Sequence, residues 1–177
     1  MSPHRIALIG YRGTGKTTVA RHLAELLQCK WIDADVELER RAGKSIAAIF
    51  ADEGEGAFRD LEAAVVADLC GRGGLVAALG GGAVLREDNR AAIAACDATV
   101  WLRASAAEIE RRLSGDPTTA GRRPNLTNTG GRQEIDRLLG ERTPIYAACA
   151  TLVVDTDDKA PEAIAAEIAA HLAPGPT

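Results

Sequence analysis

The chain has 177 residues, 46% of them hydrophobic, which is enough apolar material for one domain with a packed core and too much for a disordered chain. Aromatic residues make up only 3%, so Ala, Leu, Ile and Val must build that core. A formal net charge of −4 argues against a nucleic-acid binder, and no apolar run approaches the length that crosses a bilayer.

The opening "MSPHRIALIG" runs straight into a first strand at 5–9, so no secretory leader is expected. A helix follows at 16–27, then a short strand at 30–32 that ends in "DAD". Short helices are expected at 36–41 and 46–50, and a longer one at 56–70. "LVAAL" (75–79) reads as a strand running into Gly80-Gly81-Gly82. A helix near 88–95, a strand at 99–102 and a helix at 106–113 come next. Residues 115–131, "GDPTTAGRRPNLTNTGG", form a long loop of the kind that is functional or disordered. A helix then runs to about residue 148 with Pro144 inside it as an expected kink. "TLVVDT" is the last strand, 160–171 the last helix, and the tail "APGPT" is expected to fray. Five strands alternating with helices predict an α/β fold, a parallel sheet covered on both faces, with ligands at the carboxyl ends of its strands. Cys29, Cys70, Cys96 and Cys149 are widely spaced without a CxxC pair; they read as small buried hydrophobes in a reducing cytosol.

The chemistry starts at "GYRGTGKT", Gly10 to Thr17, which matches GxxxxGK[ST] directly after a strand and before a helix. Glycines let backbone N–H groups turn toward phosphate oxygens, and the helix amino end adds its dipole. Gly13, Thr14, Gly15, Lys16, Thr17 and Thr18 are therefore expected to bind a nucleotide, with Lys16 on the outer phosphates and the Thr17 hydroxyl on Mg²⁺. Neither "LVAAL" nor "ATVWL" ends in an Asp, and no NKxD is present, which disfavours motor ATPases and GTPases and leaves small kinases.

Asp33 and Asp35 lie two apart at a strand end, so their side chains are expected to point the same way. One carboxylate can serve Mg²⁺ and the other accept a hydrogen bond from an attacking hydroxyl; equally, Asp35 can cap a helix starting at Val36. Arg59 in "AFRDLE" either pairs with Glu62 on the surface or grips a carboxylate in the cleft. Gly80–Gly82 is either a flexible turn or a place where backbone approaches a ligand. Arg122 and Arg123 can be solubilising charge or part of a lid, and Arg142 can face either way.

In this order and spacing, "GYRGTGKTT", "DADVELERRAGKSIAAIF", "EGAFRDLE", "LGGGAV", "RRPNL", "ERTPIY" and "VVDT" resemble the shikimate kinase family over about 6–171. The resemblance implies a three-layer αβα P-loop NTPase fold as a single domain over 1–177. It places the core at about 4–172, a substrate-binding segment at about 33–62 and a mobile lid at about 113–130. It implies transfer of the ATP γ-phosphate to the 3-hydroxyl of shikimate with Mg²⁺, in the chorismate and aromatic amino acid pathway. The implied enzyme is a cytoplasmic monomer with no nucleic-acid or membrane partner. By match, Asp35 resembles the carboxylate on the shikimate hydroxyl and Asp33 the acid near Mg²⁺. Arg59 and Arg142 look like the pair on the shikimate carboxylate, with the glycine run, chiefly Gly81 and Gly82, as its backbone contact. Phe58 looks like a ring-packing residue with Ile46 and Phe50 nearby. Arg123 resembles a catalytic lid arginine, Arg112 an adenine-stacking residue, and residues 155–157 the adenine-side loop. The chain departs from the family pattern in reading "RPNL" where RPLL is usual, and in a longer stretch between Arg112 and Arg123. The alternatives are a kinase for another small polyol or hydroxy acid such as gluconate, and a nucleotide-binding module without catalysis. The intact Lys16, Thr17, Asp33 and Asp35 weigh against the module.

Overall fold

In a computed structural model that describes residues 4–115 and 131–173, five strands pair in parallel. They are β1 (Arg5–Ile9), β2 (Lys30–Asp33), β3 (Leu75–Ala78), β4 (Ala98–Arg103) and β5 (Leu152–Asp155), in the spatial order β2-β3-β1-β4-β5. The helices among the described residues are α1 (Lys16–Leu27), α2 (Ala34–Ala42), α3 (Ile46–Gly71), α4 (Glu87–Ala94), α5 (Ala106–Ser114), α6 (Gly131–Cys149) and α7 (Pro161–Leu172), with a 3₁₀ turn at Ala83–Leu85.

The strand period of two sorts the core onto two faces. Ala7 and Ile9 of β1 join Leu38, Ile49, Phe58 and Val66 on one side. Ile6 and Leu8 join Val19, Leu23, Ile164 and Ile168 on the other. The central strands are thus buried on both faces, as expected of a parallel sheet between two helical layers. Register brings the functional ends level: Leu8 and Asp33 both pair with Ala78, and Ile9 pairs with Trp101. The phosphate loop, the "DAD" segment and the triple glycine therefore leave the sheet at one edge. Among the described residues no helix is long and apolar enough to cross a membrane.

Two local expectations are met, and one departure has a plain cause. The two helices expected at 46–50 and 56–70 are present as the two arms of α3, which meet at a kink where Gly54, with φ 84° and ψ 175°, interrupts the helix. Ser45 caps its start by accepting from the Ala48 amide at 3.1 Å. α2 begins two residues earlier than expected, because Asp33 and not Asp35 is the cap: Asp33 Oδ1 accepts from the amides of Asp35 (2.9 Å) and Val36 (3.2 Å). α6 runs to Cys149 with Pro144 inside it, as the sequence predicts. Residues 116–130, most of the expected lid including Arg122 and Arg123, lie outside the described residues.

Candidate active site

The phosphate loop owes its shape to backbone that only glycine adopts easily. Gly10 has φ 141°, and a Cβ there would lie 2.5 Å from the Leu102 carbonyl oxygen, so β4 leaves no room for any other residue. Gly13 (φ 79°) and Gly15 (φ 90°) complete the turn, and Gly15 is the residue before α1. Lys16 Nζ folds back over the loop and donates to the carbonyls of Gly10 (2.7 Å) and Tyr11 (2.8 Å). The buried Thr14 hydroxyl donates to the Tyr11 carbonyl at 2.8 Å, so that side chain braces the loop from within.

A cavity of about 340 Å³ opens beside the loop, lined in part by Thr14, Gly15, Thr18, Arg112, Asp158 and Pro161. Arg112 is fixed in its wall. Its guanidinium donates to Glu108 Oε1 (2.7 Å), the Thr156 carbonyl (3.0 Å), the Thr156 hydroxyl (3.3 Å) and the Gly13 carbonyl (3.4 Å). The Arg111 and Arg112 guanidiniums hold the Glu108 carboxyl down at about 2. Residues 155–157 do not line this cavity; Asp158, Lys159 and Pro161 just beyond them do. The reason is that Asp155 forks onto Arg103, with Arg103 Nη2 at 2.9 Å, and Asp157 accepts the Ser105 amide at 3.0 Å, so both acids fasten the end of β4.

On the other side of the loop, the exposed Thr17 hydroxyl donates to Asp33 Oδ2, while Oδ1 of the same carboxylate caps α2. This joins the two residues expected to serve Mg²⁺. Among the described residues no cluster of three or more His, Cys, Asp or Glu side chains is poised for a metal. Two hard oxygen donors suit an ion that keeps several waters and takes its remaining ligands from phosphate. Asp35 does not share a strand face with Asp33, because the chain turns into α2 at Ala34; it sits half-buried in the first turn of that helix.

Arg59 lies further along the same edge, with its side chain 14% exposed. It does pair with Glu62, at 2.7 Å, but Glu62 is buried, so the expected surface pair is an interior one; Glu55 adds a weaker contact at 3.4 Å. The guanidinium lies 5.2 Å from the Phe58 ring centroid and packs against Gly82, where a Cβ would meet Nη1 at 2.7 Å and Nη2 at 2.9 Å. Gly82 has an ordinary φ of −94°, so space and not backbone conformation demands glycine there. Phe58 is buried with its ring 4.8 Å from that of Phe50, and Ile46 belongs to the same cluster. A Cβ on Gly81 would lie 3.2 Å from the Arg12 amide nitrogen, so the glycine turn touches the phosphate loop. The Gly80 carbonyl accepts the Ala83 amide at 3.0 Å and starts the 3₁₀ turn.

Arg142 is buried on α6, its guanidinium 5.7 Å from the Tyr11 ring centroid, and among the described residues no carboxylate forms an ion pair with it. Such a cation favours an anion nearby. Sequence reasoning missed Glu62 as an interior partner and passed over Glu108, Tyr11 and Tyr146. The hydroxyl of Tyr146 reaches the Gly81 carbonyl at 2.6 Å. The signal for it was available in "ERTPIY", one helical turn beyond Arg142.

Comparison with known proteins agrees with this geometry. The shikimate kinase family profile matches residues 12–173. A shikimate kinase of Rhodopirellula baltica is 44% identical over 168 residues, covering 95% of this chain and 90% of its own length. One from Thermobifida fusca is 45% identical over 165 residues, covering 93% and 92%. Among solved structures, a shikimate kinase from Acinetobacter baumannii in complex with shikimate superposes with a TM-score of 0.89 at 36% identity, covering 96% of this chain and 92% of that one.

Proposed function

Because the chain belongs to the shikimate kinase family, we propose that its site transfers the γ-phosphoryl group of ATP to the 3-hydroxyl of shikimate, giving shikimate 3-phosphate and ADP. The observation that carries this reading is the contact between two loops of different chemistry. The phosphate loop, with Lys16, abuts the Gly81–Gly82 turn, and Arg59 packs on that turn. A phosphate cradle thus adjoins a cationic, amide-lined acceptor site.

The roles follow from position. Backbone amides of Gly13–Thr18 and the Lys16 ammonium hold the phosphates of ATP, and the cavity beside Arg112 takes the nucleoside. Arg59 and Arg142 grip the acceptor's carboxylate, and the amides of Gly81 and Gly82 donate to it. Asp35 accepts the hydrogen bond of the attacking hydroxyl and aligns it with the terminal phosphorus. Thr17 and Asp33, already joined by a hydrogen bond, would hold Mg²⁺, which would offset the negative charge of the phosphates. Arg123 is the matching lid residue and lies outside the described residues. The chain acts as a monomeric cytoplasmic enzyme of the shikimate pathway. ADP release measured with shikimate, quinate and gluconate in turn tests the proposal. Shikimate is expected to give the highest kcat/KM, and equal or greater turnover of gluconate overturns it.

A further inference from the structure

Tyr146 is fully buried, and its hydroxyl donates to the Gly81 carbonyl oxygen at 2.6 Å. Its ring lies 5.7 Å from that of Trp101, which fixes where the hydroxyl can reach. The Gly81 carbonyl and the Gly82 amide belong to one peptide unit, and that unit is planar and rigid. Holding the carbonyl therefore sets the direction of the Gly82 N–H. Gly82 is also the residue on which the Arg59 guanidinium packs. One helical turn before Tyr146, Arg142 covers the Tyr11 ring, so a single face of α6 secures the phosphate loop and the glycine turn together.

We propose that Tyr146 is a positioning residue for the acceptor: its hydrogen bond to Gly81 aims the Gly82 amide, beside Arg59, at the polar groups of the bound acid. The inference rests on reading this turn as the acceptor grip. It assigns Tyr146 a role in binding that its burial alone would not.

Tyr146→Phe keeps the ring and removes only the hydroxyl. Its control is Thr99→Val, which removes another buried hydroxyl, one that donates to the Ile93 carbonyl at 3.3 Å near the amino end of β4, whereas the site lies at the carboxyl ends of the strands. Steady-state kinetics and thermal midpoints are measured for both variants and the wild type. Both variants are expected to melt a few degrees lower. Only Tyr146→Phe raises the KM for shikimate, by about tenfold, the loss of one hydrogen bond to a well-aimed donor. Its KM for ATP stays within about twofold of the wild type. An unchanged shikimate KM in Tyr146→Phe overturns the inference. So does an equal rise in both KM values, or the same shikimate shift in Thr99→Val, since either marks a merely structural role. If the wild type itself releases no ADP with shikimate, the acceptor-site reading fails and this inference fails with it. An active wild type with an unshifted Tyr146→Phe sinks only the inference.

Discussion

Substituting Gly82 by Ala isolates the acceptor grip from the rest of the fold. The backbone at Gly82 has φ −94°, which alanine adopts without strain. The new methyl would sit 2.7 Å from Nη1 and 2.9 Å from Nη2 of Arg59, well inside contact distance. What it strikes is the end of a flexible side chain, so the guanidinium gives way and the main chain stays. It must retreat by roughly half an ångström or more to restore ordinary contact, while its 2.7 Å pair with Glu62 resists the move. Displacing one arm of a charge-assisted grip forfeits about 1.5–3 kcal/mol, or between about tenfold and a hundredfold in acceptor KM. A coupled assay of ADP release with varied shikimate and then varied ATP reads this directly. The account predicts a raised shikimate KM, an ATP KM within about twofold of the wild type, and a nearly unchanged melting temperature. Gly81→Ala supplies the contrast. Its methyl meets main-chain atoms of Arg12 and Gly10 at 3.2 and 3.4 Å, so both substrates and the stability should suffer. An unaltered shikimate KM in Gly82→Ala would refute the claim that Arg59 acts at this turn.

The other predictions test separate parts of the site. Asp35→Asn should retain ATP binding by calorimetry and lose most phosphoryl transfer, because an amide no longer orients the hydroxyl with a charge; normal turnover would remove Asp35 from the mechanism. Gly10→Ala combines a φ of 141° with a Cβ 2.5 Å from the Leu102 carbonyl oxygen, and should cost about 3 kcal/mol, or roughly 10 °C in Tm. A loss of under about 2 °C by calorimetry would contradict that packing. Glu108, beside Arg111 and Arg112, and Glu37, beside Arg40 and Arg41, are both held down at about 2. Depressed carboxyls contribute stability above their ordinary value of about 4.3, and that contribution fades as the pH falls from there toward about 2. Urea unfolding at pH 5 and pH 3 should show wild-type stability falling, and falling less in Glu108→Gln; equal losses in the two proteins would refute the pairing.

Much of the fold was legible because its signals are local. Apolar runs such as "RIALI" and "TVWL" alternate with helical periods, and the five strands appear where those runs stand. The phosphate loop carries its own context of strand, glycines and helix. What escaped depends on contacts between distant segments or on which of two adjacent residues wins a hydrogen bond. Asp33 rather than Asp35 caps α2, and that exchange alone starts the helix early and removes the shared strand face. Spacing left open whether Arg59 pairs with Glu62 on the surface or turns into the cleft; the pair exists but is interior, with Gly82 close against the guanidinium. The resemblance placed 155–157 in the adenine-side loop, but it carried no sign that the acids at 155 and 157 fasten Arg103 and Ser105, partners 52 positions away. Tyr146 was readable as a neighbour of Arg142 on α6, but its partner Gly81 lies 65 positions away, beyond any window along the chain.

The account stands on one cleft in which ATP is cradled on one side and a hydroxy acid is held, hydroxyl first, on the other. Phosphorus and proton NMR of the product formed from ATP, Mg²⁺ and shikimate test this most directly. The account predicts a phosphate ester whose phosphorus couples to the ring proton at carbon 3. Phosphate on a different hydroxyl, or inorganic phosphate as the sole product beside ADP, would contradict it.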